Sequence, residues 1–207
     1  MSVDFHLYLI TDRRQTGGRA LTDVVEAALR GGVRAVQLRE KDLLGRALYV
    51  LARDLRDLTA RFNARLIVNE RIDVALAVEA DGVHLGQGSF PVAEARKLLG
   101  PGRLIGVSTH SAREVQEARG ADFVVFGPVY FTPSKARYGD PQGPARLREA
   151  SSESSCPVFA IGAVTAQRVP EVRAAGAHGV AVISAIIGAR DPEAATRRIL
   201  SALGRDR

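Results

Sequence analysis

Gly176-Ala177-His178-Gly179-Val180-Ala181-Val182-Ile183-Ser184 packs a complete structural transition into nine residues. A glycine able to end a helix is followed almost at once by an apolar run long enough for one strand. That run stops on a hydroxyl. Apolar residues at successive positions, without polar alternation, are what a strand covered on both faces requires. The same pattern stands upstream, where Gly31-Gly32-Val33 and Gly120-Ala121-Asp122 also pass directly from a helix stop into a strand.

Working outward, seven further runs of this kind precede it: Phe5–Ile10, Val33–Leu38, Arg65–Val68, Gly82–Leu85, Leu104–Val107, Phe123–Phe126 and Val158–Ile161, with Val180–Ile183 as the eighth. Helical patterns lie between them. Leu21–Leu29 has Thr22 or Asp23 available as a cap. Leu43–Phe62 carries apolar residues at three- and four-residue spacing. Pro91 suits the first turn of Val92–Leu99, Ser111 can cap Ala112–Arg119, Thr165 can cap a segment reaching Ala175, and Asp191-Pro192 open the last helix. Ser151–Ser155 reads as a polar loop. Eight strands, each followed by a helix, favour an α/β chain folded as a single (β/α)8 TIM barrel over residues 1–207. An open α/β sheet remains an alternative, since strand order is not written in one sequence.

Composition narrows the class. The chain has 207 residues, 46% hydrophobic and 25% charged, the balance of a globular protein. No apolar stretch approaches the roughly 20 residues of a membrane helix, and Met1–Ile10 reads as a strand rather than a leader, so a cytoplasmic protein is expected. Cys156 is the only cysteine, which excludes an internal disulfide; a quiet, half-buried thiol is expected there. The net charge of +6 raises nucleic acid as a partner. The arginines are spread along helical segments among acids, with no interleaved aromatics to stack on bases, so no nucleic-acid role is expected. Only Lys41, Lys97 and Lys135 are lysines in a chain otherwise committed to arginine. A homo-oligomer is left open.

Barrels of this kind carry their chemistry at the C-terminal ends of the strands. The second strand runs into Gln37, Arg39 and Lys41, and the third into Asn69 and Glu70. The fourth is followed by Gln87 and Ser89, the fifth by Ser108, Thr109 and His110. The sixth gives Gly127 and a loop with Thr132, Ser134 and Lys135; the seventh ends at Gly162-Ala163 and the eighth at Ser184. Three cations and a set of neutral donors converging on one rim suit a diphosphate or two separate phosphates. Taken alone, Arg39-Glu40-Lys41-Asp42 also reads as an alternating surface turn. His110 is the acid/base candidate, with capping or loop structure as the other reading. His84, inside a strand, is expected to be a hydrogen-bonded core residue, and His6 and His178 packing or surface residues. No metal-ligand spacing, dinucleotide fingerprint or P-loop is present.

Gln37-Leu-Arg-Glu-Lys41, Val68-Asn-Glu70, Asp81-Gly-Val-His-Leu-Gly-Gln87, Gly106-Val-Ser-Thr-His110, Phe126-Gly-Pro-Val-Tyr-Phe-Thr-Pro-Ser-Lys135 and Ala177–Ser184 together resemble the thiamine phosphate synthase family. That family includes a thiazole tautomerase branch on the same barrel. The resemblance implies a transferase that joins hydroxymethylpyrimidine diphosphate to thiazole phosphate and releases pyrophosphate. Gln37, Arg39, Lys41, Asn69, Ser108 and Lys135 would then hold the pyrimidine diphosphate. Thr132, Ser134, Gly162, Ile183 and Ser184 would hold the thiazole phosphate, with Ala163 beside them. Mg2+ is the implied cofactor.

Three positions depart from the family pattern. Glu70 and Ser89 stand where the synthases carry two aspartates, leaving Glu70 as the metal-ligating candidate. Ala163 replaces the second glycine of a Gly-Gly pair. Gly88-Ser89-Phe90 is similar to the tautomerase branch, while Pro128 stands in place of that branch's histidine. Tautomerisation of a thiazole phosphate, or non-catalytic binding of a thiamine precursor, are the alternative activities these departures imply.

Overall fold

Along each strand, side chains alternate between two apolar environments, and that alternation defines the architecture. A computed structural model describes residues 2–132 and 140–204. Its strands are β1 (Leu7–Ile10), β2 (Ala35–Leu38), β3 (Arg65–Asn69), β4 (Gly82–Leu85), β5 (Leu104–Thr109), β6 (Phe123–Phe126), β7 (Val158–Ala160) and β8 (Gly179–Val182). All neighbours are parallel and the order is sequential, with β1 paired to β8 (Leu9 opposite Val182), so the sheet closes into a barrel. The closed barrel removes the open-sheet alternative.

The helices are α1 (Leu21–Arg30), α2 (Gly45–Arg61), α3 (Ile72–Ala77), α4 (Val92–Leu99), α5 (Ala112–Glu117), α6 (Gly143–Glu153), α7 (Val169–Ala174), α8 (Ser184–Ile187) and α9 (Pro192–Leu203). One set of strand residues, including Leu9, Val36, Leu66, Val83, Ile105, Val124 and Val180, packs outward against the helices. The other set, with Tyr8, Ala35, Ile67, Leu104, Phe123 and Phe159, fills the barrel interior. Phe123 meets Tyr8 and Phe159 edge-on, at centroid distances of 5.4 and 5.5 Å. Gly106 is required where it stands, because a Cβ there would lie 2.4 Å from Phe123 and 2.6 Å from His84.

The capping expectations divide. Ser111 and Asp191 accept from the backbone N–H of Glu114 and Ala194, as expected. Ala20, rather than Thr22 or Asp23, is the N-cap of α1, because the helix already includes Leu21. Pro91 is the N-cap of α4 rather than a first-turn residue. Thr165 precedes a short 3-10 turn, Ala166–Arg168, and makes no side-chain cap there. Ser151–Glu153 is the last turn of α6, not loop. Cys156 is half-buried, and burial pushes its thiol up, as for an unreactive group. No helix among the described residues is long and apolar enough to cross a membrane.

Candidate active site

Side chains pointing inward at or next to the C-terminal end of each strand have no further layer above them, so they form the floor of a mouth. From β2 to β5 that floor is polar: Gln37, Asn69, His84 and Ser108. From β6 through β8 to β1 it is apolar: Val125, Ile161, Ile183 and Ile10. All eight line one cavity of about 620 Å3.

The polar side is internally connected. Gln37 Nε2 donates to the Tyr8 hydroxyl at 2.9 Å; that hydroxyl lies 3.5 Å from His84 Nδ1, and His84 Nε2 lies 2.9 Å from Ser108 Oγ. Burial pushes the Tyr8 phenol up, so it keeps its proton. Burial, and secondarily the charge of Arg39, pushes His84 down to about 3, so its ring is neutral. A consistent donor order therefore runs from Gln37 through Tyr8 and His84 to Ser108, leaving the Ser108 proton for a ligand. His84 is hydrogen-bonded and buried, as the sequence suggests, and it is also part of the cavity floor.

Above the floor, Arg39 and Lys41 line the cavity, while Glu40 and Asp42 turn away toward Arg13 and Arg14. The alternating turn is thus sorted by sign. Arg39 is further held by its backbone N–H on Thr11 Oγ1 at 2.9 Å.

His110 is fixed twice. Its backbone N–H donates to Glu114 at 2.8 Å, and its Nδ1 is bonded to the Gly127 carbonyl. A carbonyl only accepts, so Nδ1 carries a proton, and in the neutral ring the lone pair is on Nε2. Glu114, which also receives Gln87 Nε2 at 3.0 Å, is three residues beyond Ser111, the spacing of a capping box.

Opposite, Gly162 has φ +105°, and a Cβ on it would lie 2.6 Å from Pro128 Cα. Only glycine allows the β7 end to close against the β6 loop there. Ala163 follows with φ +47°, a left-handed conformation rare for a residue with a side chain. Thr132, Gly162, Ala163, Ile183 and Ser184 all line the cavity.

Of the sequence-derived candidates, eleven described residues therefore share this cavity. Glu70 and Ser89 lie outside its lining and against each other, with Ser89 Oγ donating to Glu70 Oε1 at 3.3 Å. Glu70 is also left-handed, at φ +60°. Ser134 and Lys135 lie outside the described residues. Asp12 and Gln15, at the end of β1, line the cavity as well and were missed. The strand-end rule would have found them had it been applied to the first strand.

A family model described as thiamine monophosphate synthase matches residues 7–186. The chain belongs to the thiamine monophosphate synthase family. Within that family, a relative from Geobacter sulfurreducens, provisionally named a thiamine-phosphate synthase, is 58% identical over 203 residues, covering 97% of this chain and 95% of its own. The thiamine-phosphate synthase of Roseiflexus castenholzii is 49% identical over 195 residues, 93% of this chain and 86% of that protein. The solved structure of thiamine phosphate pyrophosphorylase from Pyrococcus furiosus matches with a TM-score of 0.85 at 39% identity, covering 95% of this chain and 94% of that one. For the tautomerase branch, the resemblance implies a histidine after the sixth strand. Here Pro128 lines the cavity at that place and offers no titratable group.

Proposed function

We propose that this protein is a transferase that joins hydroxymethylpyrimidine diphosphate to thiazole phosphate, giving thiamine phosphate and pyrophosphate. The observation that carries this reading is the divided cavity, with cations and polar donors on β2–β5 and an apolar wall beside a glycine corner on β6–β8. Gln37, Asn69 and Ser108 would read the pyrimidine, with Arg39, Lys41 and Lys135 on its diphosphate. Thr132, Ser134, Gly162, Ala163, Ile183 and Ser184 would receive the thiazole phosphate.

In this reaction the carbon–oxygen bond to the diphosphate breaks, and the bonding pair leaves with it. The thiazole nitrogen then supplies the pair for the new carbon–nitrogen bond, so no net proton transfer is required. Charge develops on the departing diphosphate, where Arg39 and Lys41 would stabilise it. The walls hold the two rings in line. His110 presents the lone pair of Nε2, suited to accept a hydrogen bond from an amino group.

Magnesium is the metal implied by the resemblance. Mg2+ is commonly held by one or two carboxylates together with substrate phosphates. No cluster of three or more His, Cys, Asp or Glu side chains suited to a metal occurs among the described residues. Glu70 lies outside the cavity lining with the Ser89 hydroxyl at its carboxylate, so it offers a single carboxylate to an ion carried in by the diphosphate and no cage built by the protein. Glu70 would hold it, and the ion would supply neutralisation of the diphosphate charge.

The test is direct. Purified protein is mixed with both substrates, with and without magnesium, and thiamine phosphate is measured. Magnesium-dependent product is expected; its absence from folded protein would overturn the proposal.

A further inference from the structure

Two cations side by side at an open mouth repel each other, and long side chains left to themselves wander. Arg39 and Lys41 form no ion pair with any described residue, yet both line the cavity. What holds them lies outside the cavity. The Arg13 backbone N–H is shared between the two Glu40 carboxylate oxygens, at 3.1 and 3.2 Å, and its Nη1 donates to Glu40 again at 3.1 Å. The same guanidinium forks onto both oxygens of Asp42 at 2.6 and 2.7 Å. Arg14 adds a contact to Asp42 at 2.8 Å.

The side chain of Glu40 is only 2% exposed, so its charge depends on these partners. The other end of the clamp is built into the cavity wall. Asp12 and Gln15 flank Arg13 and Arg14, line the cavity, and are bonded to each other at 2.7 Å.

We infer that Arg13 is a positioning residue for the diphosphate half of the site: through Glu40 and Asp42 it holds Arg39 and Lys41 toward the cavity before substrate arrives. This rests on the proposed assignment of those two cations to the diphosphate. Arg13 has a second effect that follows from charge alone. Glu40 and Asp42 are the nearest acids in sequence to Arg39 and Lys41. Without Arg13 they become competitors for the same cations that the diphosphate needs. Loss of Arg13 therefore both loosens the turn and neutralises it.

The probe is inorganic pyrophosphate, whose binding is read by calorimetry without turnover, so failure of the clamp is distinguishable from failure of the proposed reaction. Arg13→Ala is expected to weaken pyrophosphate binding and raise KM for the pyrimidine diphosphate by about tenfold or more, as a misplaced binding group does. KM for the thiazole phosphate stays within about twofold, since that half of the cavity is held by other loops. Arg13→Lys, which keeps the charge and loses the fork, falls between. Adding Asp42→Asn to Arg13→Ala removes one competing acid and recovers part of the pyrophosphate affinity, an outcome that a merely structural role for Arg13 would not give. Unchanged pyrophosphate affinity in folded Arg13→Ala, or a parallel rise of both KM values, would overturn the inference. If Arg13→Ala does not fold, the comparison of Arg13→Lys with Arg13→Lys/Asp42→Asn decides it in the same way.

Discussion

The two ends of the barrel handle charge in opposite ways. At the N-terminal end, Asp81 precedes β4 and its Oδ2 accepts from the Leu66 N–H at 2.8 Å and from Arg56 at 2.5 Å. Asp122 precedes β6 and repeats the device with the Ile105 N–H at 2.7 Å and Arg96 at 2.6 Å. Each carboxylate ties a neighbouring strand to a helix, and each charge is answered within the protein. At the C-terminal mouth, Arg39 and Lys41 are answered by no described residue. Charge that serves the fold is closed, and charge proposed to serve a ligand is left open.

The sharpest way to test that contrast is at the mouth. Arg39→Ala should lower kcat/KM for thiamine phosphate formation by about 100- to 1000-fold, the usual cost of removing one preorganised electrostatic group. Thermal melting should show no loss of stability, because no ion pair is broken. Asp122→Ala should do the reverse. It strands the Ile105 N–H and Arg96, lowering stability by about 2 kcal/mol in denaturant titration while KM values hold.

Between these extremes lies His84. Its pKa is pushed from 6.5 down to about 3 by burial, so an unfolded chain binds the proton first. Its contribution is therefore complete above the unfolded value and is lost as pH falls from about 6.5 toward about 3, by at most about 1.4 kcal/mol per pH unit. Melting temperature against pH should show this acid limb, and His84→Gln should flatten it.

The smallest effect is expected at Ala163. Its left-handed backbone costs about 1–2 kcal/mol, and glycine returns part of that gain to the unfolded chain. Ala163→Gly should then raise stability by less than about 1 kcal/mol. Removing the methyl should also lower KM for the thiazole phosphate in steady-state kinetics.

The barrel was legible because its strands are largely apolar runs and several of its helices stop at or just before a glycine, both local signals. Most of the cavity was legible because strand-end position is a topological rule that needs no contact map. Its gaps have physical reasons. Asp12 and Gln15 follow the first strand inside a run that reads as a polar turn, where no local signal marks a lining carboxylate and only the strand-end rule, applied to that strand too, picks them out. His84 lies between Val83 and Leu85 in a strand buried on both faces, and such a strand carries no alternation to say which way a side chain points. The sorting of Arg39-Glu40-Lys41-Asp42 is set by Arg13, which is distant in sequence, so the turn alone was ambiguous. Helix α3 spans six residues, shorter than any window in which helical periodicity is visible.

Apart from Ile10 on the first strand, the polar and apolar halves of the cavity floor are also successive halves of the chain, with Gln37, Asn69, His84 and Ser108 preceding Val125, Ile161 and Ile183. Under the proposed assignment, the electrophile is read by the first stretch and the nucleophile mostly by the second. The two specificities are then heritable as separate segments. A chimera carrying the second stretch of a relative would change which ring attacks, while Arg39 and Lys41 pass on intact and only Lys135 of the diphosphate set is exchanged.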